Sequence, residues 1–220
     1  MPVRKIPKNY LFVTGGYSSR KNDEMDAFES LLEKDYLLLL DFDDAVEAFE
    51  VQPARVPVAG IAKGYVPDVL VKYHPDPHGG TVRRPQLVEV KTTEDLLRNA
   101  EKYAPKFAAA RQYAEERGWE FKTVDQTEIR GPRLANLKFL REYRNVDPAD
   151  TEIQTVLECM PGLAGELSLQ SLLDTLAPTD DDKLHWLPII WSMVLTRHLA
   201  TDLDQLFQSD VRLWLSGART

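Results

Sequence analysis

Two short apolar segments constrain the fold of this chain more than any other part of its sequence. They are YVPDVLV at 65–71 and QLVEVKT at 86–92, and both have the residue types of β-strands. The first lies within a longer strand pattern, GYVPDVLVKY, and the second is apolar enough to be a central strand. The interval between them, HPDPHGGTVRRP, contains prolines and glycines that forbid regular pairing. We therefore expect the two strands to form a hairpin.

The rest of the first 147 residues alternates between helical and strand patterns. Apolar residues recur at helical spacing over 22–41, and AVEAFEVQP at 45–53 alternates as a strand does. Residues 93–117 predict a long helix that Pro105 kinks or interrupts and Gly118 ends. A short strand, RVPVAG, precedes the hairpin, and a strand, WEFKTV, and another helix follow the long helix. This order predicts an α/β sandwich with a mixed sheet, in which the crossover helix returns a parallel strand.

The charge of the chain changes near residue 148. Residues 1–147 contain 23 Lys and Arg against 24 Asp and Glu, whereas residues 148–220 contain 4 against 11. Because this step coincides with the polar, proline-containing stretch NVDPAD, we predict a domain boundary between residues 147 and 148. The second domain has the pattern of three short helices and a terminal strand, DVRLWL, as in a small winged-helix-like module. Its acidic charge disfavours non-specific DNA binding and favours a protein partner.

Three features concern the compartment in which the chain works. Cys159 is the single cysteine, so no internal disulfide is possible and we expect a reducing cytoplasm. The N-terminal MPVRKIPKNY has no apolar run after its basic residues, so we expect no signal peptide. The apolar stretch WLPIIWSMVL at 186–195 is too short to cross a bilayer and predicts a buried helix.

Charged residues on the two strands of the predicted hairpin indicate chemistry. Asp68 lies on the first strand, and Glu89 and Lys91 share one face of the second because side chains alternate along a strand. Paired strands would bring the two carboxylates together, where they repel unless a cation lies between them. Two carboxylates and the Val90 carbonyl suit Mg²⁺, which prefers oxygen ligands. With the Lys91 ammonium beside them to orient water or stabilise charge, they predict metal-assisted phosphodiester hydrolysis.

The order of these residues resembles the PD-(D/E)xK nuclease superfamily. A narrower resemblance rests on SLLEKDYLLLLDFDDAVEAFEVQP, YVPDVLV, LVEVKT and TEIRGPRLANLKFLREYR. Over residues 24–144 these segments are similar to TnsA, the endonuclease subunit of heteromeric transposases. The resemblance implies a restriction-endonuclease-like mixed sheet flanked by helices in residues 1–147. It also implies a bacterial, cytoplasmic protein.

The resemblance to TnsA also implies a larger site. A helical glutamate, here Glu33 of SLLEKD, completes the group of catalytic residues formed by Asp68, Glu89 and Lys91. Two Mg²⁺ ions, which Mn²⁺ could replace, would be held by Glu33, Asp68, Glu89 and the Val90 carbonyl, with Glu33 reaching a second ion. Glu29, one helical turn earlier, is the alternative to Glu33. Some relatives carry Gln at the position of Glu89, so its role as a metal ligand is the less constrained one.

The partners follow from the same resemblance. The chain would cut the 5′ ends of a mobile element while a TnsB-like transposase cuts and joins the 3′ ends. A TnsC-like AAA+ ATPase would contact the C-terminal domain, residues 148–220. Two alternatives remain open: a stand-alone restriction or repair nuclease of the same fold, and a catalytically silent assembly adaptor. The presence of all four active-site residue types argues against the adaptor.

Two further features allow two interpretations each. Gln52, before Pro53, either positions a phosphate or water or satisfies backbone groups at a strand end. A basic segment either contacts phosphates or forms a solvated helix face, and it contains Arg130, Arg133, Lys138, Arg141 and Arg144.

Overall fold

The computed structural model of the chain describes residues 15–22, 25–75, 83–162, 165–208 and 210–217. The chain divides into two compact units, and the division lies between Arg130 and Gly131. This division lies before the boundary predicted from the charge step, so residues 131–147 belong to the second unit.

Side-chain contacts within the second unit explain the difference. The Asn136 side-chain amide donates to the backbone carbonyls of Leu203 and Gln205, at 2.9 and 2.6 Å. The Phe139 ring packs edge-on against Trp191, with the ring centroids 5.1 Å apart. The charge step marks a change in surface composition, whereas the packing of apolar side chains decides where a compact unit begins.

The first unit alternates strands and helices. In chain order its elements are β1 (Gly15–Tyr17), β2 (Asp26–Phe28), α1 (Leu31–Phe42), β3 (Val46–Val51), β4 (Val56–Val58), β5 (Ile61–Tyr65), β6 (Val69–Tyr73), β7 (Gln86–Val90), α2 (Thr93–Arg98), α3 (Ala100–Glu115), β8 (Glu120–Val124) and α4 (Gln126–Ile129).

A mixed four-stranded sheet forms the centre of the first unit. Its strand order is β3-β6-β7-β8, with β6 antiparallel to both neighbours and β7 parallel to β8. Val88 of β7 lies opposite Val69 of β6 and Lys122 of β8, and Val88 is fully buried. Ala114 of α3 packs against Leu70 and Leu87 of the sheet. The predicted hairpin, the parallel return and the restriction-endonuclease-like mixed sheet flanked by helices are therefore confirmed.

The helix predicted over 22–41 begins later than expected. Residues Asp26–Phe28 instead form β2, which pairs with β1, and Met25 is exposed. The helix starts after Ser30, whose hydroxyl accepts a hydrogen bond from the Glu33 backbone N–H as a helix N-cap. Pairing with β1, the preceding strand, thus overrides the helical spacing of the apolar residues before Ser30.

Two other elements differ from the sequence expectation. GYVPDVLVKY is two strands, because Pro67 has no N–H to donate and β5 pairs with β4 rather than joining the four-stranded sheet. The long helix breaks at Asn99, between α2 and α3, and not at Pro105, which lies inside α3 and is exposed. Gly118, at φ 70°, follows α3 in the left-handed conformation expected after a helix end.

The second unit is mainly helical. Its elements are α5 (Pro132–Leu140), a 3₁₀ turn (Arg141–Tyr143), α6 (Asp150–Glu158), β9 (Leu167–Ser168), α7 (Leu169–Leu176), α8 (Asp180–Leu195), β10 (Leu199–Ala200) and β11 (Arg212–Leu215). The three strands form an antiparallel sheet in the order β10-β11-β9. The predicted terminal strand is present as β11, and the structure adds β9 and β10 beside it; the winged-helix-like character of the module stays a prediction. Within the residues described, no helix is both long and apolar enough to span a bilayer.

The β4–β5 hairpin gives a test of the backbone. Gly64 has φ 62°, and a Cβ added there would lie 2.6 Å from the Val56 carbonyl oxygen. We predict that Gly64→Ala lowers the free energy of unfolding by about 2–4 kcal/mol, since it combines left-handed strain with a backbone clash. Gly60→Ala is the matched control, because Gly60 has φ 75° but open space around its Cα. Urea denaturation that gives equal losses for the two variants would contradict the steric argument.

Candidate active site

Asp68 is held between two strands of the central sheet. It directly precedes β6, and its backbone N–H donates to the Val88 carbonyl of β7 at 3.1 Å. Its own carbonyl accepts from the N–H of Gln52, the residue after β3, at 2.8 Å. Because both backbone groups are bonded, the position at which the Asp68 side chain leaves the backbone is fixed by the sheet.

The carboxylate of Asp68 reaches the end of β7. Its Oδ2 accepts a hydrogen bond from the Val90 N–H at 2.8 Å. Glu89 and Lys91 leave the chain on either side of Val90, and the Lys91 N–H donates to the Val124 carbonyl of β8 at 3.1 Å. The two residues therefore project from a strand end that is bonded on both sides.

The Lys91 ammonium contacts three of the four residues that the sequence predicts as metal ligands, namely Asp68, Glu89 and Val90. Its Nζ lies 2.8 Å from Glu89 Oε1, 3.1 Å from the Val90 carbonyl oxygen and 3.3 Å from Asp68 Oδ2. The expected proximity of Asp68, Glu89 and Lys91 is thus present in the structure. Their catalytic roles stay predictions.

Glu89 is the most deeply buried carboxyl of this group, with 3% of the residue exposed. The Tyr65 hydroxyl donates to its Oε2 at 2.5 Å. Burial, followed by the charge of Asp68, raises the pKa of Glu89 to about 8, against an ordinary value of 4.5. Tyr65, three residues before Asp68, is a site residue that no sequence motif indicated, and its side chain extends from β5 to Glu89.

Glu33 lies near the group but outside its direct contacts. Its Oε2 accepts from the Glu29 N–H at 2.7 Å and its Oε1 from the Ser30 hydroxyl at 3.1 Å, so it helps to cap α1. Burial and the charge of Asp68 raise the pKa of Glu33 to about 7. Within the described ranges, Lys91 Nζ forms ion pairs with Asp68 and Glu89 and none with Glu33. Glu33 therefore interacts electrostatically with the site while its oxygens are used at the helix start.

Gln52 connects the Glu33 segment to Asp68. Its backbone has φ 50°, and its side-chain Nε2 donates to the Glu29 carboxylate at 3.1 Å. Its Oε1 is buried and has no hydrogen-bond partner in the part of the chain that the structure describes. The side chain thus bonds to a carboxylate rather than to backbone groups, and its free acceptor suits a water molecule better than a role at the strand end.

The site contains more carboxyl groups than cationic groups. Three carboxyls, Glu33, Asp68 and Glu89, lie near one ammonium. Burial alone would lower the pKa of Lys91, but the charges of Asp68 and Glu89 outweigh it and raise that pKa, so the ammonium stays charged. Because the pKa values of Glu33 and Glu89 are raised by burial and by the charge of Asp68, additional positive charge would stabilise this group of oxygen ligands.

The oxygen atoms of these side chains and of the Val90 carbonyl are the kind of ligand that a hard divalent cation prefers. Mg²⁺ binds through one or two carboxylates and keeps several waters. Asp68 and Glu89 could supply the carboxylates, and the Val90 carbonyl could add a further oxygen ligand. Among the described residues, no three His, Cys, Asp or Glu side chains are close enough together to hold a metal ion as they stand. The Lys91 ammonium lies between Asp68 and Glu89, at the position where the predicted ligands converge.

The basic segment after α4 is partly neutralised by acids. Arg130 Nε lies 3.5 Å from Asp35 within the first unit. Arg133 forms a bidentate pair with Asp204 within the second unit, at 2.7 and 2.8 Å. These two arginines are therefore engaged in the protein, which favours the structural interpretation for them.

Comparison with known families gives two consecutive matches. Residues 43–126 match a family model described as TnsA-like endonuclease N terminal, and residues 128–203 match one described as TnsA endonuclease C terminal. The first match contains Asp68, Glu89 and Lys91, whereas Glu33 precedes it. A search of curated protein sequences found no match.

The buried carboxyls predict an unusual pH dependence of stability in metal-free protein. Because the pKa of Glu89 is raised to about 8 in the folded state, the folded chain retains a proton that the unfolded chain loses near pH 4.5. Stability should therefore fall as the pH rises from about 4.5 to 8. We predict that Glu89→Gln flattens this decline in thermal unfolding with a chelator present. Glu47→Gln, on an exposed position of β3, should leave it unchanged, and an equal decline in both variants would contradict the prediction.

Proposed function

Because this chain belongs to the TnsA endonuclease family, we propose that it hydrolyses phosphodiester bonds at the 5′ ends of a mobile element as the nuclease subunit of a heteromeric transposase. The observation that supports this role best is the contact of the Lys91 ammonium with Asp68, Glu89 and the Val90 carbonyl at one strand end. Such a grouping of carboxylates and an amine suits the stabilisation of charge on a phosphate that water attacks.

The proposal includes a magnesium-dependent reaction. Asp68, Glu89 and the Val90 carbonyl would hold one Mg²⁺ ion, Glu33 would serve a second, and Mn²⁺ would substitute. Bound Mg²⁺ supplies a Lewis acid that polarises the phosphate and lowers the pKa of water.

The residues around the ion have separate roles in this proposal. Lys91 provides a positive charge beside the phosphate and orients the attacking water. The Val90 N–H holds the Asp68 carboxylate in one direction, and the Tyr65 hydroxyl does the same for Glu89. Gln52, with its free buried carbonyl oxygen, would accept a hydrogen bond from a water molecule at the edge of the site. Fixed side chains reduce the reorganisation needed during the reaction.

Partners follow as part of the same proposal. A TnsB-like transposase would cut and join the 3′ ends, and a TnsC-like AAA+ ATPase would contact the C-terminal domain. The acidic charge of residues 148–220 supports a protein-binding role for that region. Exposed acids at the start of α8, beginning with Asp180, give a partner with a basic surface a group of negative charges to bind.

Substitution of the site residues tests the nuclease proposal. We predict that Lys91→Ala and Asp68→Ala each lower the rate of 5′-strand cleavage at element ends at least about 100-fold, because each removes a group that stabilises charge in the transition state. Strand-specific mapping of nicks with the partner proteins present, in Mg²⁺ and then in Ca²⁺, measures this. Cleavage in Mg²⁺ that Ca²⁺ does not support is expected.

Lys122→Ala is the matched control for that experiment. Lys122 lies on β8, next to the strand that carries Lys91, but its Nζ pairs with Glu128 at 2.6 Å. The control should cleave at the wild-type rate. If Lys91→Ala leaves excision unchanged while the complex still assembles, the chain is an assembly adaptor and the nuclease proposal is wrong.

The charge of the whole chain predicts dependence on a partner. The formal net charge is −8, so the isolated protein should bind DNA weakly and cleave it slowly. We predict that adding the transposase raises the cleavage rate at element ends by at least tenfold, or roughly 1.4 kcal/mol in barrier height. A time course with and without the transposase measures this. Equally rapid, sequence-specific cleavage by the chain alone would support the stand-alone nuclease instead.

A further inference from the structure

The first two turns of α3 carry two lysines whose ammonium groups lie near aromatic rings. Lys102 and Lys106 are four residues apart and therefore on the same face of the helix. Lys106 Nζ lies 5.7 Å from the centre of the Tyr103 ring and 6.0 Å from that of Tyr65. Lys102 Nζ lies 6.0 Å from the Tyr103 ring. A ring holds an ammonium by its quadrupole and leaves the positive charge unneutralised.

Several other basic residues of the first unit have an acidic partner. Arg98 pairs with Glu94, Arg84 with Glu115, and Lys122 with Glu128. Among the residues that the structure describes, Lys102 and Lys106 form no ion pair within 4 Å. The face they share is thus a local positive surface on an acidic protein.

This surface adjoins the candidate active site. Tyr65, under Lys106, donates its hydroxyl to Glu89 at 2.5 Å. Tyr103, under both lysines, donates its hydroxyl to Asp95 at 2.6 Å. After that hydrogen bond, the charges of Lys91 and Lys102 both help to lower the pKa of Asp95, so the two ammonium groups act on the same carboxylate.

From this arrangement we propose that Lys102 and Lys106 bind backbone phosphates of the DNA strand that flanks the scissile bond. This inference rests on the proposed nuclease function and adds a surface that positions the substrate. A phosphodiester that reaches Lys91 must bring its neighbouring phosphates past the adjoining protein surface. Lysines without an ion pair, placed beside aromatic rings, offer the charge that such phosphates require, without reading base sequence.

Salt-dependent DNA binding tests the lysine surface directly. The full-length chain is titrated with a fluorescent duplex oligonucleotide in Ca²⁺, and the association constant is measured over a range of salt concentrations. We expect Lys102→Ala/Lys106→Ala to reduce the slope of log K against log salt by about 1.8, since each phosphate contact contributes about 0.9. Lys102→Arg/Lys106→Arg should retain the wild-type slope, because arginine keeps the charge.

Lys122→Ala is again the matched control, because its ammonium is already paired with Glu128. Its slope should equal that of the wild type. Thermal unfolding of each variant establishes that the exposed substitutions leave the fold intact. A wild-type slope in the double alanine variant, or no salt-dependent binding by the wild-type chain at low salt, would overturn the inference.

Kinetics separate this inference from the nuclease proposal. In cleavage assays with the partners present, the double alanine variant should raise KM and keep kcat, whereas Lys91→Ala should lower kcat. A wild-type slope in the double variant alongside normal Lys91-dependent cleavage rejects the lysine surface alone. A reduced slope alongside no cleavage by the wild-type complex in Mg²⁺ rejects the nuclease function and leaves the lysines as a DNA-binding surface.

Discussion

Asp68 is the residue on which the arrangement of the first unit depends. Its backbone N–H and carbonyl bond to Val88 and Gln52, and its carboxylate bonds to the Val90 N–H. A single residue thus joins β3, β6 and β7 at the place where β6 begins. The same hydrogen bonds that align the strands also fix the carboxylate, so the geometry of the site follows from the pairing of the sheet and does not require a separate loop structure.

Much of the central sheet was predictable because its signals are local. Apolar runs bounded by proline and glycine identified the two strands of the hairpin, and the two-residue period placed Glu89 and Lys91 together. The start of α1 was not predictable from helical spacing, because the residues before Ser30 pair as β2 with the preceding strand β1. The predicted domain boundary differs from the division into compact units because charge reflects the surface, whereas Asn136 and Phe139 make contacts with residues distant in sequence.

Some residues of the candidate site could likewise be predicted from the sequence, and others could not. Asp68, Glu89 and Lys91 could be predicted together because hairpin pairing brings their strands together. Tyr65 could not, because β5 leaves the central sheet and pairs with β4, and no periodicity indicates that its hydroxyl turns toward Glu89. For Glu33 the resemblance to TnsA supplied the residue, and the structure adds that its oxygens also cap α1. Side-chain hydrogen bonds between distant segments are the part that sequence patterns do not encode.

The hydrogen bond from Tyr65 to Glu89 gives the site a built-in chromophore. The phenol is buried with its proton directed at a carboxyl oxygen, and the near-ultraviolet absorption of tyrosine responds to such an acceptor. Loss of that acceptor would shift the absorption band. The Tyr65 ring is therefore an intrinsic reporter of its contact with Glu89, and comparison with Tyr65→Phe separates its absorption from that of the other aromatic residues, without a label and without DNA.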